Sequence, residues 1–189
     1  MPAFALQFPA SQIEALASRF GHVEDSRLLA AGAAARRRGY YTREEFLEAC
    51  AWKTARSRSK VAANTGDRVI AATGRALTAV DEAARMSALL HLRGVGVPTA
   101  STLLHFAFPD QYPILDVRAL DSLGVKPRSQ YPVSFWLAYL GACRELARRA
   151  GVSLRTLDKA LWQHSKEASR QMRPVRDAAR PDVRDRPRS

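Results

Sequence analysis

Leu92-Arg93-Gly94-Val95-Gly96 separates two stretches with helical periodicity, and this arrangement limits the folds open to the chain. Upstream, Met86, Leu89 and Leu90 recur at i, i+3, i+4; downstream, Ala100, Leu103, Leu104 and Ala107 do the same. The pattern predicts a helix, a very tight turn and a second helix over about residues 97–107. A Gly-x-Gly turn at a helix start can project backbone N–H groups outward. The resulting concavity suits an anion, most often a phosphate.

The rest of the chain also reads as helix, with almost no strand signal. Ser11 with Glu14 and Thr42 with Glu45 match the capping-box pattern. Each precedes an apolar stripe, Ile13, Leu16, Ala17 and Phe20 in one case and Phe46, Leu47 and Cys50 in the other. Further helices are expected over about 24–38, 66–77 and 81–91, from 117, over 132–150, and from Ser153 onward. In the 132–150 segment Trp136, Tyr139, Leu140, Cys143 and Ala147 share one face, and Gly151 ends the pattern. The expected fold class is all-α, a multi-helix domain over residues 1–169. Residues 170–189 hold seven arginines, three aspartates and three prolines, with almost no large apolar side chain. That composition predicts a basic disordered tail carrying +4 of the chain's formal +12.

An excess of twelve positive charges favours a polyanionic partner. Cys50 and Cys143 fall at apolar helical positions and read as buried thiols. With no CxxC pair, the chain cannot build a zinc ribbon or a four-cysteine cluster. His91, His105 and His164 lack ligand spacing, so no metal site is expected. No apolar run approaches membrane-spanning length, and Met1 to Ala10 does not resemble a secretion signal. A cytoplasmic monomer with no membrane partner is the expectation.

The phrase Leu92-Arg93-Gly94-Val95-Gly96-Val97-Pro98-Thr99-Ala100, followed 20 residues after Gly96 by Tyr112-Pro113-Ile114-Leu115-Asp116, resembles the helix-hairpin-helix DNA glycosylase superfamily, the endonuclease III-like proteins. The resemblance implies a multi-helix DNA glycosylase-like domain that binds double-stranded DNA. It assigns Arg93, Gly94, Val95, Gly96 and Thr99 to a hairpin gripping a DNA phosphate, with a monovalent cation on the hairpin carbonyls as a possible helper and no other cofactor. It makes Asp116 the carboxylate that stabilises positive charge developing on the deoxyribose. Asp116 also precedes Val117-Arg118-Ala119-Leu120 and is equally a helix N-cap; the two roles are compatible. The segment Trp52 to Lys60 lies about where the superfamily places a loop that enters the minor groove, making Trp52, Lys53, Arg56, Arg58 and Lys60 candidate DNA contacts. Lys53 or Arg56 is a candidate to fill the gap left by a flipped base, and Trp52 either stacks on a base or packs in the core. The alternative for this segment is a solvated basic loop over a core tryptophan.

Two features depart from the superfamily's pattern. Some members carry an iron–sulfur cluster that two cysteines cannot hold. Bifunctional members carry a Schiff-base lysine two residues after the second glycine, where this chain has Pro98. The expectation is therefore a monofunctional N-glycosylase of base-excision repair that releases a damaged or mispaired base, with no abasic-lyase activity. The alternative is a non-catalytic helix-hairpin-helix protein that recognises distorted duplex DNA. A helical domain that binds RNA or other proteins through charge alone is the third class. What separates the first two is whether Asp116 faces an open cavity beside the hairpin or serves only as a cap.

Overall fold

A computed structural model describes residues 3–21 and 25–171. The expected basic tail lies almost wholly outside the described residues. Among those described, all regular structure is helical: α1 (Ile13–Ser18), α2 (Ser26–Arg38), α3 (Arg43–Lys53), α4 (Arg58–Ala62), α5 (Gly66–Thr78), α6 (Glu82–Leu90), α7 (Val97–Ala107), α8 (Val117–Ser122), α9 (Val133–Ala150) and α10 (Leu154–Gln171). None is long and apolar enough to cross a membrane.

Local chemistry explains most of the boundaries. The Thr42 hydroxyl accepts from the Glu45 amide while the Glu45 carboxylate accepts from the Thr42 amide, a complete capping box for α3. Ser153 Oγ accepts from the Thr156 amide at 3.0 Å and opens α10. The expected Ser11 cap does not form. Pro9 starts a 3-10 turn over Ala10–Gln12, and α1 follows with no side-chain cap. Proline's fixed φ sets the turn before Ser11 can act.

Helix α7 is the central element. Each residue from Thr99 to Ala107 is buried. Helix α2 crosses it so closely that a methyl group on Gly32 would lie 2.1 Å from the Phe106 carbonyl oxygen. On other sides α7 meets α3 and α6, while α10 packs on α1, α8 and α9. Trp136, Tyr139, Leu140, Cys143 and Ala147 turn their shared face of α9 into this core, and both cysteines are buried thiols. Burial pushes the Cys50 thiol up to about 12. At these buried positions the apolar stripe of each helix is covered by another helix.

Candidate functional site

The two glycines of the hairpin do different things. Gly94 adopts φ +77°, and a Cβ there would lie 2.9 Å from Lys60 Cβ, Val61 Cγ2 and the Val61 nitrogen. Only glycine meets both conditions, a left-handed backbone and contact with α4. Gly96 is exposed, has an ordinary extended conformation and caps α7. Asn64 braces the turn from behind. Its amide group donates to the Arg93 carbonyl at 3.0 Å, and its oxygen accepts from the Arg93 N–H at 2.9 Å. Val95 faces inward: its side chain is buried and its N–H donates to the Leu92 carbonyl at 3.2 Å. Of the expected hairpin residues, Arg93 and Gly96 are exposed, while Thr99 is buried and turned toward a cavity. Pro98 occupies the first turn of α7, where its missing N–H costs no helical hydrogen bond.

The basic segment is not one loop. Trp52 and Lys53 form the last turn of α3, a short link follows, and Arg58 and Lys60 lie on α4. Arg56, Arg58 and Lys60 are exposed, and Lys60 adjoins the hairpin at Gly94. Trp52 packs edge-on against Phe106 at 5.2 Å between ring centroids, so it belongs to the core and also lines the cavity. Lys53, expected to reach outward, turns inward.

The cavity has a volume of about 440 Å³ and lies where α3, α7, α8 and α10 converge. Lys53, Pro98, Thr99, Asp116, Arg118, Arg155 and Asp158 supply its polar and hairpin-derived walls. Phe20, Trp52, Tyr131 and Trp162 supply aromatic surface. Asp116 is the N-cap of α8, with Oδ1 accepting from the Ala119 N–H at 2.8 Å. Its Oδ2 stands 3.8 Å from Lys53 Nζ. The carboxylate is thus a cap through one oxygen and a cavity group through the other.

The extended segment before Asp116 is held by side chains rather than by a sheet. His105 Nδ1 donates to the Tyr112 carbonyl at 2.7 Å. Tyr139 donates to the Ile114 carbonyl at 2.9 Å, and Ser101 Oγ accepts from the Leu115 N–H at 3.0 Å. Asp158 Oδ1 accepts from the Ile114 N–H at 2.8 Å. Every buried backbone group needs a partner. Here the partners come from α7, α9 and α10, so the position of Asp116 reports the packing of three helices.

Electrostatics separates the ionisable groups. Burial raises the Asp158 carboxyl to about 6, although Arg155 and the Ile114 N–H both favour its charged form. Burial lowers the Lys53 ammonium from its ordinary value, with Asp116 and Asp158 partly opposing the shift. Arg155 donates to Asp158 Oδ2 at 3.0 Å and also pairs with Asp25. Its guanidinium lies over the Phe20 ring, and the Arg118 guanidinium and Lys166 ammonium lie over Trp162. No group of three or more His, Cys, Asp and Glu suited to a metal occurs among the described residues.

Sequence reasoning missed Asp158, Arg155, Phe20, Tyr131 and Trp162. The signal for Asp158 is present in the chain: it falls on the same face of α10 as Leu154, Leu157 and Leu161, an acid within an apolar stripe. Arg155 and Trp162 share α10 with Asp158, whereas Phe20 and Tyr131 come from distant segments and carry no local mark. No family model matches the chain, and neither a curated protein nor a solved structure matches it.

Proposed function

We propose that this protein binds double-stranded DNA and hydrolyses the N-glycosidic bond of a damaged or mispaired base. One observation carries the reading: Asp116, whose Oδ2 takes no part in the α8 cap, lines a cavity of about 440 Å³ together with Pro98 and Thr99 of the first turn of the hairpin helix. The hairpin and the exposed cations Arg56, Arg58, Lys60 and Arg93 suit the phosphate backbone. The cavity is large enough for an extruded nucleotide, and its aromatic walls suit stacking on a base. As the base leaves, positive charge develops on the deoxyribose. Asp116 is the carboxylate to stabilise that charge and to orient the attacking water. Its cap to Ala119 fixes the side chain, so little reorganisation is needed at the moment of reaction.

The decisive experiment exposes the protein to a panel of duplexes, each with one lesion or mismatch, and treats them with alkali. Strand breaks at one class of lesion, and none without protein, are the expected outcome. A second reading rests on the ion pair between Asp116 and Lys53, which engages the remaining oxygen. Under it the protein recognises distorted DNA without chemistry. Tight binding to a lesion duplex with no alkali-labile sites from any panel member would establish that reading over the first.

A further inference from the structure

We propose that a second pocket, between α3 and α4, binds a medium-chain aliphatic carboxylate, with the chain laid between the two helices and the carboxylate on Arg58. This site goes beyond the DNA-processing reading and does not depend on it. It shares only Thr54 with the walls of the Asp116 cavity. Its volume is about 520 Å³, within the range of roughly 300–1,000 Å³ typical of small-molecule sites.

The sequence builds this pocket from two facing stripes. Leu47, Cys50, Ala51 and Thr54 recur at i, i+3, i+4 and i+7 along α3 and its cap, about 10 Å of helix. Arg58, Val61 and Ala62 keep the same spacing on α4. Cys50 and Val61 are buried and form the floor. Ala51 and Ala62 are exposed, and their short side chains leave the space above that floor open. No aromatic ring lines the pocket, in contrast to the Asp116 cavity, so its walls suit a flexible chain rather than a stacked ring. Apolar cavities of this kind hold water poorly and take up apolar guests.

Charge at the rim selects the head group. Glu48 is already paired, with Oε1 3.0 Å from Arg27 Nε. The Arg58 side chain is exposed and makes no hydrogen bond, ion pair or ring contact among the described residues. Its guanidinium can therefore meet an anion without giving up a partner. The planar fork matches a carboxylate through two parallel N–H···O bonds. One negative charge suits this rim better than two, because Glu48 stands on it as well. The pocket also adjoins the support of the hairpin: Val61, in its floor, is one of the residues against which Gly94 packs.

The test titrates the isotope-labelled full chain with sodium octanoate and follows backbone amide shifts by NMR, with octanol as the uncharged chain. Saturable shifts centred on residues 47–62 are expected. Octanoate should bind about fivefold more tightly than octanol, the scale of one exposed ion pair. Arg58→Gln should remove that preference and leave octanol binding unchanged. Ala51→Phe, at an exposed position on the rim, fills the pocket and should abolish binding of both, while the rest of its spectrum reports an intact fold. Arg118→Gln, in the Asp116 cavity, should leave octanoate binding intact. Absence of saturable shifts on α3 and α4, equal binding of the two chains, or shifts centred on Phe20, Asp116 and Trp162 overturns the proposal. Undiminished octanoate binding by Ala51→Phe, or its loss in Arg118→Gln, does the same.

Discussion

The Ile114 N–H donates to Asp158 Oδ1 at 2.8 Å, across 44 residues of chain, and so ties α10 to the segment that delivers Asp116. Asp158→Ala leaves that N–H buried without a partner, a loss on the order of 1–3 kcal/mol. Asp158→Asn keeps an acceptor there and should cost less, which chemical denaturation of both variants will show.

The same residue predicts a pH dependence. Its folded-state value of about 6 lies above its ordinary 3.8, so it favours folding when protonated. That contribution is complete below about 3.8 and is lost as pH rises through about 6. Asp158→Asn does not titrate. The stability of the variant relative to wild type should therefore improve as pH rises across that window, as read from paired denaturation curves. A constant difference would show that Asp158 is not shifted.

His105 acts in the opposite sense. Its ring is fully buried, Nδ1 serves the Tyr112 carbonyl, and Nε2 has no partner among the described residues. Burial lowers it from 6.5 to about 3, so it stays neutral when folded. A depressed value stabilises above 6.5, and the contribution is lost as pH falls toward about 3. At pH about 5 this group alone should lower stability by about 2 kcal/mol relative to neutral pH. His105→Asn retains a donor for Tyr112 and should flatten that slope, a change visible in melting temperature against pH.

Asp116→Asn retains an oxygen to cap α8, so folding should change little. Base release should fall by about 10²-fold or more, the scale of a lost electrostatic contact in the transition state. DNA affinity should persist or rise. If the variant retains full activity on a lesion that wild type processes, Asp116 is a cap alone.

Gly96→Asp is the cleaner probe of the hairpin. The nearest atom to a Cβ at Gly96 is Pro98 Cδ at 3.8 Å, whereas any side chain at Gly94 meets α4. The variant should fold normally and place a carboxylate where a phosphate is proposed to sit. Fluorescence anisotropy should show weaker duplex binding, beyond that caused by deleting residues 170–189, and wild-type affinity should fall steeply with salt. Equal losses from the two changes would remove the hairpin as a contact.

Most of the helical architecture was legible in the chain because its signals are local. The Thr42–Glu45 box, the apolar stripe from Trp136 to Ala147, the stop at Gly151 and the Gly94–Gly96 turn each act within a few residues. Ser11 misled because Pro9 sets the backbone first. The basic run from Trp52 to Lys60 read as one loop, since charge pattern does not say where a helix stops or which way its last side chain points. Asp116 was visible both as a cap and as a candidate carboxylate, but only packing showed that its two oxygens divide these roles. The inward turn of Lys53 and the support from Asp158, Tyr139 and Ser101 depend on helices that meet only after folding. Local sequence sets the periodicity and capping of each helix. The burial of an ionisable group, and hence its chemistry, is set by neighbours from distant segments, and only the tertiary structure decides which these are.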